Sequence, residues 1–131
     1  LIGHSDADLG LHVICDALYG AMAEADIGTH FPSNEEKWKN ADSNVFLAHA
    51  TRLLKEKGGR LLHLDVTIIG EAPKIGPHRG EIRDKLSDLL DTGPERISVK
   101  ATTTQGLGFL GRREGLAAQA AVTIALPGDT T

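Results

Sequence analysis

The stretch His4–Leu18, HSDADLGLHVICDAL, constrains the fold more than any other. Leu11, Ile14, Leu18 and Met22 recur at helical spacing, and an apolar stripe of this kind has to be buried against another element. Asp8, His12 and Asp16 stand four residues apart. They form a polar stripe, because residues at that spacing share a helix face. One helix with both stripes predicts docking on a sheet by one side, with the other side left for polar chemistry. Ser5 or Asp6 is expected to cap this helix, since a side-chain oxygen there accepts from the unpaired backbone N–H groups, and His4 falls just before the predicted start. Two histidines beside carboxylates suit a metal or phosphate site, and they suit caps and surface charge as well.

The other elements follow from punctuation. The first helix is expected over about 8–25, giving way at Asp26-Ile27-Gly28, with a polar loop after it. A second helix starts at Asp42 or Ser43, buries Val45, Phe46, Leu53 and Leu54 on one face, and ends at Gly58-Gly59. Alternation and β-branching make Leu62–Ile69 a strand. After GEAPKIGP comes a third helix, about 78–90, with Pro77 at its start and Gly93 after its end, and Ile82, Leu86, Leu89 and Leu90 facing inward. Strands are predicted over 96–103 and 116–126, separated by the glycine-rich QGLGFLGRREG, and PGDTT reads as a tail. This order predicts an α/β (α+β) two-layer sandwich, a small sheet with helices on one face. The small residues of the last strand, LAAQAAVTIAL, suggest an uncovered and partly apolar sheet face suited to another subunit.

At 131 residues the chain is expected to be one domain with its own core. A net charge of −4 and five aromatic residues argue against a nucleic-acid partner, which would call for a basic stripe and stacking platforms. Cys15 is the single cysteine, suited to packing in a reducing compartment. No apolar run has the length of a membrane span, and no signal peptide is recognisable. Beginning at Leu1 without an initiator Met, the sequence reads as one lacking upstream residues.

The loops hold the chemistry. KATTTQGLGF offers the hydroxyls of Thr102, Thr103 and Thr104 beside amides exposed by Gly106 and Gly108, a combination suited to phosphate and equally to an ordinary strand end and turn. EAPKIGP carries Lys74 between two prolines, stiff enough to present backbone groups to a flat ligand. Asp26-Ile27-Gly28 suits ligand hydroxyls or a helix-ending turn.

Taken together and in order, HSDADLGLH (4–12), DALYGA (16–21), ADIGTHFP (25–32), DVTIIGEAPKIGPH (65–78) and VKATTTQGLGFLGRREG (99–115) resemble the 2-C-methyl-D-erythritol 2,4-cyclodiphosphate synthase family of the non-mevalonate isoprenoid pathway, over nearly the whole length. The resemblance implies a lyase that converts 4-diphosphocytidyl-2-C-methyl-D-erythritol 2-phosphate to the cyclic diphosphate and CMP. By that resemblance His12 is a Zn²⁺ ligand. His4 and Ser5 hold the attacking phosphate, and Thr103 steadies the diphosphate with Thr102, Thr104 and Gln105 beside it. Asp26, Ile27, Gly28 and Phe31 meet the erythritol part, with Asp26 and Gly28 reaching it from a neighbouring subunit. Gly70, Glu71, Ala72, Pro73, Lys74, Ile75 and Gly76 form the cytosine pocket. Mg²⁺ or Mn²⁺ is expected on the substrate phosphates. The resemblance further implies a homotrimer built through the sheet side, cytoplasmic (or in the plastid stroma for a plant-type source). Phe109 and Arg112 would line a central channel able to hold an isoprenoid diphosphate.

Two departures bear on the metals. The family's Asp-x-His motif, source of two more zinc ligands, does not precede His4, so zinc is expected to bind weakly or not at all in this chain. Gln105 and Ser33 stand where the family usually has acidic residues, which predicts a weaker divalent site. Two other readings compete: a non-catalytic trimer that binds isoprenoid diphosphates, and a metal-dependent phosphohydrolase that releases an uncyclised product.

Overall fold

The computed structural model describes residues 4–24, 43–70, 78–102 and 117–128, with positions 4–8 and 43 described for the backbone alone. Its elements are α1 (His4–Ala21), α2 (Ser43–Glu56), β1 (Arg60–Ile69), α3 (Arg79–Leu90), β2 (Ile97–Thr102) and β3 (Ala117–Ala125). A single 3-10 turn at Pro94–Arg96 leads into β2.

β1 is the central strand of a mixed three-stranded sheet ordered β2-β1-β3. It pairs in parallel with β2, Leu64 opposite Ile97 through Ile69 opposite Thr102. With β3 it pairs antiparallel, Arg60 opposite Ala125 through Ile69 opposite Ala117. The parallel pairing requires a crossover, and α3 supplies it. Leu64, Val66 and Ile68 of β1, with Ile97 and Val99 of β2, turn to one face and are buried. α1 lies on β3, α3 lies on β2, and α2 bridges the two helices. Among the described residues all helices therefore cover one face, the two-layer arrangement predicted from the order of elements. The core joins Ile14, Cys15, Leu18, Tyr19 and Met22 of the first helical segment to Leu47, Ala50 and Leu54 of α2 and to the inward residues of the sheet.

Several local expectations are corrected. α1 begins at His4 and ends at Ala21, so His4, Ser5 and Asp6 lie in its first turn and not ahead of it as caps. It stops short of position 25 because Ala23 takes a left-handed conformation (φ 59°), while Glu24 N–H donates to Tyr19 O at 2.8 Å and closes the helix end. The left-handed residue after α3 is Asp91, φ 52°, not Gly93; aspartate tolerates this region better than most residues. Val45 is exposed at 44% and is not part of the α2 core face.

β1 starts two residues earlier than predicted and carries an irregularity between Leu61 and His63. Leu62 is the extra residue there, and its carbonyl accepts from Arg96 Nη1 at 3.0 Å. The uncovered sheet face mixes polar with small apolar residues, as expected: Asp65 stands opposite Ser98 and Thr67 opposite Lys100, with Gln119, Ala121 and Thr123 exposed on β3. Lys100 Nζ lies 2.9 Å from Asp65 Oδ2 and holds that carboxyl below the usual carboxylate range. Small residues in β3 reflect the close approach of α1 on the inner face, where Ala118, Ala120, Val122 and Ile124 pack on the core.

Candidate active site

The polar stripe of α1 forms as predicted over the residues whose side chains are described. His12 Nε2 lies 3.2 Å from Asp16 Oδ2, one turn on, with the two side chains 54% and 38% exposed. Exposure leaves this pair accessible to a ligand, while the opposite stripe anchors the helix through Ile14 and Leu18, each 1% exposed.

α1 meets the sheet at a defined place. A Cβ on Gly10 would stand 3.8 Å from Ile68 Cδ1, so the amino half of α1 lies over the carboxyl end of β1. Because β1 and β2 are parallel, the carboxyl end of β2 lies at this same end. Gly70 N–H donates to Thr102 O at 3.0 Å, which ties the first residue of the GEAPKIGP stretch to the first residue of the threonine run. The antiparallel β3 begins here too, Ala117 opposite Ile69. Thus the amino end of a helix and the carboxyl ends of two parallel strands converge. In α/β architectures that is where ligands bind, and the aligned peptide dipoles of a helix amino end favour anionic groups.

Of the sequence-predicted site residues, this end joins Gly70 to Thr102 by a hydrogen bond, under the amino half of α1, the half whose backbone carries His4, Ser5 and His12. Thr102 is exposed at the end of β2. Asp26, Ile27, Gly28, Phe31, Glu71, Ala72, Pro73, Lys74, Ile75, Gly76, Thr103, Thr104, Gln105, Phe109 and Arg112 lie outside the described residues. Among the described residues no three His, Cys, Asp or Glu side chains could hold a metal ion together. His12 fits a single ligand: a carboxylate fixes one ring nitrogen, as is usual for a ligating imidazole, and leaves Nδ1 for the metal. The described residues by themselves do not make up a zinc centre.

Cys15 packs as its place in the helical pattern suggests, and Tyr19 makes a contact that the sequence pattern does not reveal. Cys15 is wholly buried in the core, and its thiol is pushed up to about 12 by that burial and by Asp16 beside it. Tyr19, also wholly buried, shares a hydrogen bond with His49 Nδ1 at 2.7 Å, and burial pushes its phenol up. Only the folded chain joins these two residues, which the sequence keeps thirty positions apart.

A small mixed sheet under one helical layer, with a helix amino end at the strand ends, defines the class: a two-layer α+β sandwich. Comparison with known proteins gives the family. The model of the YgbB family matches residues 1–125, and the chain belongs to that family. It is 58% identical over 127 residues to the bifunctional enzyme IspD/IspF of Gluconobacter oxydans, covering 97% of this chain and 33% of that protein. The chain thus spans about a third of the length of this curated relative. Among solved structures, Plasmodium falciparum IspF in complex with CDP superposes with a TM-score of 0.81 at 32% identity, over 98% of this chain and 76% of that one. A CDP-bound 2C-methyl-D-erythritol-2,4-cyclodiphosphate synthase superposes equally well, TM-score 0.81 at 34% identity, over 95% of this chain and 80% of that one. Among the described residues no helix is long and apolar enough to cross a membrane.

Proposed function

We propose that this chain cyclises 4-diphosphocytidyl-2-C-methyl-D-erythritol 2-phosphate to 2-C-methyl-D-erythritol 2,4-cyclodiphosphate, releasing CMP. The observation that carries the reading is the convergence of the α1 amino end with Gly70 and Thr102, in a chain similar to synthases solved with CDP.

The chemistry asks little covalent work of the protein. An oxygen of the substrate's 2-phosphate attacks the β-phosphorus, the bond from that phosphorus to the bridging oxygen breaks, and CMP leaves with the electron pair. Nucleophile and leaving group belong to one molecule, so catalysis is folding the substrate back on itself and offsetting charge on the transferring phosphoryl group. In this reading the peptide dipoles at the start of α1 face the phosphates, with His4 and Ser5 beside them. The stretch Gly70 to Gly76, with Lys74, takes the cytosine, and Thr103 steadies the diphosphate. Hydroxyl and backbone donors aimed at developing charge are worth more in a water-poor site than in solution. Zn²⁺ on His12 and on donors beyond the described residues, Mg²⁺ or Mn²⁺ on the substrate phosphates, a homotrimer with sites between subunits, and an isoprenoid diphosphate near Phe109 and Arg112 complete the proposal.

The test is product analysis by phosphorus NMR with the full-length protein, alongside metal content. Cyclic diphosphate and CMP in equal amounts, with about one zinc per subunit, are expected. An uncyclised phosphate product would give the site to a phosphohydrolase. Binding of isoprenoid diphosphate without turnover would give it to a non-catalytic trimer.

A further inference from the structure

We infer that the Tyr19–His49 hydrogen bond is a positioning device: it fixes the rotation of α1 and, through it, the aim of the His12–Asp16 pair. The inference rests on the reading that places substrate phosphates at the amino half of α1. Apolar contact is non-directional, so the burial of Ile14 and Leu18 in the core they share with Leu47 and Ala50 holds α1 down but sets its roll less sharply than a hydrogen bond does. A hydrogen bond is directional. The 2.7 Å contact between the Tyr19 hydroxyl and His49 Nδ1 joins rings whose centroids are 6.0 Å apart and tilted by 52°. Rolling α1 breaks that contact, and losing a hydrogen bond made by a wholly buried residue is costly.

The roll is transmitted because of helix periodicity. Tyr19 is seven residues from His12, and seven residues are two turns less about 20°. Both side chains therefore project from the same side of α1, about 10 Å apart along its axis. The polar stripe that begins at Asp8 and His12 thus continues into Tyr19, where α2 covers it. At a side-chain radius of about 6 Å, a roll of about 10° carries the His12 ring through about 1 Å. Misplacement on that scale can lower a rate by about 10²-fold. Lys57 Nζ, 3.0 Å from Glu24 Oε1, ties the same two helical segments again at their far end and resists tilting, which leaves roll as the motion that Tyr19 and His49 govern.

Four variants of the full-length protein test this. Tyr19→Phe keeps the ring and removes only the hydroxyl. His49→Leu removes the partner, and His49→Asn restores an amide able to donate or accept near the place of Nδ1. The fourth variant combines Tyr19→Phe with His49→Leu. Each disrupting single variant is expected to lower kcat by about 10-fold with KM nearly unchanged, since aim is lost and binding kept. The double variant should be no worse than either single one, and His49→Asn should recover most of the loss. The side-chain ¹⁵N resonances of His12 should move in Tyr19→Phe and His49→Leu and return in His49→Asn. Wild-type kcat and unmoved His12 resonances in Tyr19→Phe, whatever its urea midpoint, would overturn the inference. The resonances need no turnover. If the wild-type protein makes no cyclic product, the proposed function falls and the positioning role is still decided by them.

Discussion

Replacing Gly10 by alanine should stabilise this protein, even though the position sits beside the candidate site. Gly10 is inside α1, well past its first turn, where glycine costs about 0.5–1 kcal/mol relative to alanine through backbone entropy. Space usually decides whether that gain is realised. A Cβ here would meet Ile68 Cδ1 at 3.8 Å, with no other atom of the described residues outside its own helix backbone and chain neighbours within 4 Å, an ordinary van der Waals contact that adds a little apolar burial. The sum is about 1 kcal/mol, and for a chain of this size it corresponds to a rise of about 4 °C in Tm.

Gly59 supplies the control with the opposite sign. Its Cβ would fall 2.6 Å from Leu54 Cδ1, 2.7 Å from Leu126 Cδ2 and 3.0 Å from Ala125 O. The leucine tips can turn aside, but the carbonyl belongs to β3 and cannot, so Gly59→Ala should lose about 1–3 kcal/mol as an overpacked site does. Equilibrium urea unfolding followed by circular dichroism, with thermal melts alongside, measures both. A Gly10→Ala midpoint equal to or below wild type would refute the reasoning, for it would mean that α1 lies closer to β1 than the 3.8 Å gap allows.

The remaining expectations concern charge and chemistry. Asp65 is held below the usual carboxylate range by the Lys100 ammonium 2.9 Å away. Its contribution to stability is therefore present above the unfolded-state pKa of about 4 and lost as pH falls through the lower folded value. Lys100→Gln should flatten the fall in stability below about pH 4, by a small amount because the pair is partly exposed; an unchanged acid limb in urea titrations would count against the pair. Cys15, with its thiol at about 12, is expected to resist an aromatic disulfide reagent in the native state and to react as urea opens the fold, since only the thiolate attacks. Rapid stoichiometric labelling without urea would contradict that burial. His12→Ala should cut CMP release by about 10²-fold while moving the unfolding free energy by no more than about 0.5 kcal/mol, because the side chain is exposed. A large stability loss in that variant would recast His12 as structural.

Much of the architecture could be read from the order of residues, because local signals and tertiary outcome agree there. DVTII alternates and is β-branched, and it is the central strand. Leu86 and Leu90 face inward as their spacing requires. The misses have specific causes. α1 ends at a left-handed Ala23, a conformation that alanine does not advertise. Leu62 breaks the alternation because a bulge adds one residue to β1, something visible only once the partner strand is known. The Lys100–Asp65 pair on the open sheet face depends on the parallel register of β1 and β2, which neither strand shows by itself. At the candidate site, the stripe of His12 and Asp16 follows from helical spacing. The association of Gly70 with Thr102, 32 positions apart in the chain, depends on strand pairing, and Tyr19 with His49 depends on helix docking.

The placement of α1 on β3 also has a bearing on time. The apolar stripe of the first helix is covered by the strand at 117–125, nearly the whole length of the sequence away. A ribosome makes α1 well before its cover. Until then the stripe of Ile14, Leu18 and Met22 stands without its eventual partner, and the antiparallel pairing of β1 with β3 likewise waits on a loop closure of nearly fifty residues. Contacts this distant slow folding and leave a nascent chain exposed to misassociation. Mature stability therefore rests on β3, and survival during synthesis rests on whatever shields α1 until β3 arrives.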